Sequence, residues 1–169
     1  MRRWNGWGDE ATHFPLKPAG AAFLERALGP GRVHADATLA TVLDRVHASR
    51  LPRHDLVDRS PETRVRHARG QSLPDWLAMR SGAFGTFPDG VALPETSDQV
   101  RALLDWAASE DIRVIPWGGG TSVAGHINPP ASDRPVLTLS LERLSGLLEL
   151  DRASQLARFG AGTPGPEVE

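Results

Sequence analysis

The chain has 169 residues, 40% of them hydrophobic and 24% charged, the balance of one globular domain of ordinary size. A net charge of −2 gives no electrostatic case for binding nucleic acid or an anionic membrane, and the absence of cysteine excludes disulfides, thiolate metal sites and cysteine nucleophiles. No apolar run is long enough to span a bilayer and no signal peptide opens the chain, so the expectation is a soluble cytoplasmic protein.

Residues 1–18 carry Trp4-Asn5-Gly6-Trp7-Gly8 and read as irregular, with the tryptophans as packing anchors. A short helix over Ala21–Leu28 is stopped by Gly29-Pro30. Leu39, Val42, Leu43 and Val46 fall at i, i+3, i+4 and i+7, the face of a second helix. Residues 49–72 are rich in Arg, Pro, Ser and Asp and read as a long connection; Leu73–Arg80 makes another short helix with Pro74 near its start. Gly90–Leu93 reads as a strand ended by Pro94. Thr96 and Gln99 have the spacing of a capping box, and Val100, Leu103, Leu104 and Ala107 line one helix face. Ile112–Ile115 is the next strand. Strand, helix and strand with short joins form a βαβ unit, which predicts a parallel pair. Further strands are expected at Val136–Leu139, Leu147–Leu150 and Leu156–Phe159, and Pro166 followed by acids reads as a helix start. A natural terminus rarely stops in the first turn of a helix, so the chain reads as the front part of a longer protein.

The stretch with most chemistry is Pro116-Trp117-Gly118-Gly119-Gly120-Thr121-Ser122, directly after the second strand of the βαβ unit. Three glycines allow positive φ and bring backbone N–H groups close to a bulky ligand, and two hydroxyls follow. Donors without a nearby acid suit an anion such as a pyrophosphate. No lysine follows the glycines, so this is no P-loop, and the spacing is not that of the Rossmann fingerprint. A glycine-rich turn that binds nothing has the same local composition.

Other chemistry is sparse. The six histidines form no H-x-x-x-H pair, so no metal site is expected. Ser122 and Ser140 lack a recognisable base partner. His126 reads more readily as a surface or packing histidine than as a ligand-binding one. Arg64, Arg66 and Arg69 read as a solvated basic face, with contact to a phosphorylated substrate as the alternative.

Phe87-Pro88-Asp89-Gly90-Val91-Ala92-Leu93-Pro94, then the helix, then Val114–Val123, resembles the FAD-binding domain of the vanillyl-alcohol-oxidase, or PCMH-type, flavoproteins. It is most similar to the alkyldihydroxyacetonephosphate synthase-like branch. Trp4–Gly8, Arg69-Gly70-Gln71-Ser72-Leu73 with Asp75, and Gly160-Ala161-Gly162 also fit that family. The resemblance implies an α/β (α+β) fold: a helical and irregular region over 1–86, then an incomplete PCMH-type FAD-binding domain over 87–169. It implies FAD held through its pyrophosphate by Pro116, Trp117, Gly118, Gly119, Gly120, Thr121 and Ser122. Some members attach FAD through a histidine in this loop. Here Thr121 stands at that place, so non-covalent FAD is expected. An FAD-dependent oxidoreductase acting on a small-molecule substrate follows, with an ether-lipid alkyl transferase and a non-enzymatic nucleotide-binding module as alternatives. The full-length protein could form a homodimer. Residues acting on substrate are expected beyond Glu169, and no catalytic residue is named.

Overall fold

The computed structural model describes residues 3–32 and 34–169. Its elements in chain order are α1 (Pro18–Leu28), α2 (Leu39–Leu43), β1 (Val57–Asp58), α3 (Pro61–Arg66), α4 (Leu73–Ser81), β2 (Gly90–Ala92), α5 (Ser97–Ser109), β3 (Arg113–Trp117), β4 (Val136–Ser140), β5 (Leu147–Asp151), β6 (Leu156–Phe159) and α6 (Gly165–Val168). The fold is mixed α/β, as expected.

A four-stranded sheet in the order β1-β2-β4-β3 is the frame. Strands β2 and β3 are parallel as the βαβ reading requires, but they are not neighbours. β4 enters between them, parallel to both, with Val91 opposite Thr138 and Ile115 opposite Thr138. Sequence order alone cannot show such an insertion, because the pairing partner arrives later in the chain. All residues of β4 are buried, as befits a central strand covered on both faces. Leu137, within this strand, is completely buried.

Helix α5 covers one face of the sheet. Leu103, Ala107 and Ile112 pack on Ala92, Leu137, Leu139 and Leu51. Thr96 caps the helix by accepting from the Gln99 N–H at 3.2 Å, while the Gln99 side chain accepts from the Glu95 N–H, one residue earlier than an ideal box. On the opposite face Ile115, Trp117 and Val136 meet Ile127. A separate helical cluster joins Val42, Val65, Ala68, Met79, Phe84 and Phe87, with Trp4 against the Phe84 ring. Trp4 is thus a packing anchor; Trp7 is 58% exposed and is not.

The long connection over 49–72 is more ordered than its composition suggests. It contains β1, which pairs antiparallel with β2, and α3. Pro and Arg are the residues that obscure this: Pro61 occupies the first turn of α3, where its missing N–H costs nothing. Arg64 is not on a solvated face. It is 2% exposed and donates to the carbonyls of Pro88 (2.6 Å) and His47 (2.7 Å). Arg69 packs its guanidinium over the Phe84 ring at 5.9 Å, and Arg66 pairs with Glu62 one helical turn away. Burial holds both the Arg64 and the Arg69 guanidinium below the usual arginine range. The carbonyls that fill Arg64 come from distant parts of the chain, so composition could not reveal its role.

Candidate functional site

The glycine-rich loop leaves the C-terminal end of β3, an edge strand, at the end of the sheet where parallel α/β folds bind ligands. Edge position also explains Pro116 inside a strand, since alternate N–H groups of an edge strand point away from the sheet and have no ladder partner to lose. Trp117 turns its side chain into the core, 2% exposed and 5.1 Å from the His67 ring, and its carbonyl accepts from Leu141 N–H at 2.9 Å. Trp117 thus anchors the loop at the end of β3, and Pro116, Gly118, Gly119 and Thr121 are exposed.

The three glycines do different things. Only Gly120 takes positive φ, at 69°. A Cβ on Gly118 would meet nothing within 4 Å, and one on Gly119 would meet only Thr121 Cγ2 at 3.4 Å. Nothing inside the fold demands glycine at 118 and 119. Their missing side chains leave steric room beside the loop.

A brace behind the loop comes from residues 70–76. Gln71 N–H donates to the Ser122 carbonyl at 2.6 Å, and a Cβ on Gly70 would collide with that same carbonyl. The Gly70 N–H donates to Asn128 Oδ1 (3.0 Å), and Asn128 donates to Asp75 Oδ1 (2.6 Å). Asp75, almost fully buried, completes a reciprocal capping box with Ser72 at the start of α4. The Gln71 side-chain oxygen accepts from Trp76 Nε1 at 2.6 Å. Ser72 and Asp75 stand at the spacing of a capping box, a signal present in the sequence and missed there because Pro74 drew the reading to the helix start.

Four separate parts of the chain meet around a cleft of about 590 Å³: Gly6, Trp7 and Gly8; Gln71; Gly119 and Thr121; and Thr163–Pro166. Among the described residues, no acidic or basic side chain lines it. An anion entering here meets amides and hydroxyls rather than a counter-ion, and no carboxylate repels it. A nucleotide pyrophosphate fits that donor set, and the open Cβ positions of Gly118 and Gly119 fit its bulk. The last segment is itself held by close approach. Cβ atoms on Gly160 and Gly162 would strike the carbonyls of Leu144 and Leu141, and Thr163 Oγ1 accepts from Gly146 N–H.

Ser122 does have a base nearby: its Oγ lies 3.1 Å from His126 Nδ1. Spacing of four residues in a loop without periodicity gave no warning of this contact. Ser140 and Thr138 are buried on β4, and among the described residues their hydroxyls have no hydrogen-bond partner. The described residues also hold no cluster of His, Asp or Glu suited to a metal, and no helix long and apolar enough to cross a membrane.

A mixed, mainly parallel sheet with a glycine-lined cleft that carries no charged side chain among the described residues fits a nucleotide-binding module. Residues 88–169, just under half of the chain, match the family of FAD binding domains, and this match together with the relatives indicates FAD as the cofactor. The chain is 27% identical to an alkyldihydroxyacetonephosphate synthase of Dictyostelium discoideum over 203 residues, covering 99% of this chain and 33% of the relative. It is 32% identical over 77 residues, 46% of the chain, to a D-2-hydroxyglutarate dehydrogenase of Xanthomonas citri pv. viticola, 16% of which is covered. A solved alkyldihydroxyacetonephosphate synthase structure superposes with a TM-score of 0.79 at 24% identity, over 99% of this chain and 37% of that one, and shares its fold. The chain spans about a third or less of the length of the curated relatives it matches.

Proposed function

We propose that this chain is the pyrophosphate-holding part of an FAD-dependent oxidoreductase that acts on a small-molecule substrate, with residues 87–169 as the incomplete cofactor domain and 1–86 as its mainly helical support. The observation that carries the reading is the pair of exposed, sterically unconstrained glycines, Gly118 and Gly119, the second lining a cleft that carries no charged side chain among the described residues. Amides of the loop and the hydroxyls of Thr121 and Ser122 bind the phosphates; Pro116 and Trp117 fix the loop to β3; the 70–76 brace holds its far end. FAD, when bound, supplies the electron-accepting ring, and the protein supplies position and electrostatics. No residue of this chain is assigned a catalytic role.

Alkyl transfer without net redox is the second reading, and the likeness to alkyldihydroxyacetonephosphate synthase along almost the whole chain favours it. The two separate in one experiment on the full-length flavoprotein. Anaerobic D-2-hydroxyglutarate or another 2-hydroxy acid should bleach the visible flavin band. Formation of alkyldihydroxyacetonephosphate with no net loss of the band would replace oxidation by transfer. A colourless preparation that takes up no FAD would sink both and leave a module without this cofactor.

The FAD is non-covalent in this reading, because Thr121 offers no imidazole for attachment. Acid or heat precipitation should release the yellow colour into the supernatant; colour in the pellet overturns it. The reading carries a cytoplasmic location and a homodimer, which fractionation and solution mass measurement test.

A further inference from the structure

Resting on the reading that the 116–122 loop holds the FAD pyrophosphate, we propose that His126 is a positioning residue that orients the Ser122 hydroxyl proton toward a phosphate oxygen. A serine hydroxyl has one proton and two lone pairs. The Ala124 N–H approaches Ser122 Oγ at 3.4 Å and occupies one lone pair. His126 Nδ1, at 3.1 Å, fills the second when it carries its proton. With both lone pairs engaged, the only remaining capacity of Ser122 is donation. An anion is what that proton suits.

The backbone of Ser122 is fixed as firmly as its side chain. Its carbonyl accepts from Gln71 N–H at 2.6 Å, with Gly70 packed so close that no Cβ fits between them. Asn128, just beyond His126, ties the same brace to Asp75, so the 122–128 turn is held at both ends. His126 itself is exposed and joins none of the hydrophobic clusters, so packing does not explain its place. Without it, the Ser122 hydroxyl is free to turn its proton toward another acceptor and present a lone pair to the phosphate instead.

The test uses full-length protein stripped of flavin and titrated with FAD, following flavin fluorescence. His126→Ala should weaken FAD binding roughly 5- to 20-fold, a range that straddles the contribution of a neutral hydrogen bond and that of one to a charged group. His126→Asn, whose amide nitrogen can stand near the Nδ1 position, should recover to within about threefold of wild type. Ser122→Ala should cost a comparable factor, and adding His126→Ala to it should change the affinity less than twofold, since the two act through one hydrogen bond. Apoprotein melting temperatures should stay within about a degree across the set. Independent, multiplying losses at 122 and 126, or an Asn variant as weak as the Ala variant, would overturn the proposal. A neutral His126→Ala does so too. Gly119→Asp separates the two levels. If it abolishes binding while His126→Ala does nothing, the loop holds the phosphates and only the role of His126 is wrong. If Gly119→Asp binds FAD like wild type, the underlying reading of the loop fails, and the inference with it.

Discussion

At the scale of single residues, glycine has two opposite uses here, and substitution tells them apart. Gly119 is open to the outside, so Gly119→Asp in the full-length protein should fold normally and lose flavin. A carboxylate about 4 Å from a phosphate charge near a protein surface costs on the order of 4 kcal/mol, so FAD affinity should fall by about a hundredfold or more. Flavin occupancy near wild type would show that the phosphates bind elsewhere. Gly162 is the reverse case. Its missing Cβ accommodates the Leu141 carbonyl, which is backbone and cannot step aside. Gly162→Ala should cost about 1–3 kcal/mol of stability and lower the melting temperature by several degrees. An unchanged melting curve would mean that the segment after β6 is not seated against 141–144. Both glycines are visible in the sequence as members of glycine-rich runs. Which one makes room for a ligand and which for the chain itself is decided by what lies opposite.

At the scale of elements, the sheet is tied together by a buried charge. Asp89, fully buried just before β2, receives Arg50 through Nε at 3.0 Å and Nη2 at 2.8 Å, and accepts the N–H of Val136 at the start of β4 (2.8 Å). Arg50 also donates to the carbonyls of Ser132, Asp133 and Arg134, so one guanidinium links the entry to β2 with the entry to β4. Burial works to raise the Asp89 carboxyl, but the hydrogen bonds from Arg50 and from the Val136 N–H outweigh it and hold the group below the usual carboxylate range. A carboxyl depressed in the folded state stabilises the protein above its unfolded value, near 3.9, and that stability is lost as pH falls through the folded value. The melting temperature should therefore drop on acidification below about pH 4. Arg50→Ala should cost about 3 kcal/mol at neutral pH and flatten that acid limb, since it leaves Asp89 buried without its main counter-charge. An Arg50→Ala variant with a wild-type acid profile would place the titration on other carboxylates, Asp58 among them. Its carboxyl, raised by burial but lowered further by hydrogen bonds from Thr63 and Ser60, is also held below its ordinary value.

On the scale of the whole molecule, the cover is uneven. The four-stranded sheet is well buried, while the β5–β6 ribbon exposes Leu147, Leu148, Leu150 and Leu156, and every residue of β5 is exposed. The cleft has the glycine loop on one wall and Trp7 and Thr163–Pro166 on others, and the chain supplying it spans only about a third of the first relative's length. Residues 1–169 produced alone should accordingly bind FAD weakly or not at all, and should self-associate through the ribbon. Fluorescence titration beside a sedimentation measurement checks both parts. Micromolar FAD binding by a monodisperse monomer would show that the cleft is sufficient by itself and that the exposed leucines need no partner.

Much was determined by the sequence alone: the helix face of α5 from its apolar spacing, the β-branched strand β3, the Gly118–Gly120 loop after it, and the resemblance to FAD-binding flavoproteins carried by segments in order. These are local patterns, set by the period of a helix or strand and by the steric freedom of glycine, and they are legible without knowing what lies nearby. The tertiary structure decided what depends on long-range meeting. It inserted β4 between β2 and β3, buried Arg64 against carbonyls from two other segments, and brought Trp7, Gln71, Gly119 and Thr163 to one cleft. It also placed His126 Nδ1 on Ser122 Oγ. Pairing partners and buried hydrogen bonds join residues tens of positions apart, and no spacing rule along the chain encodes them.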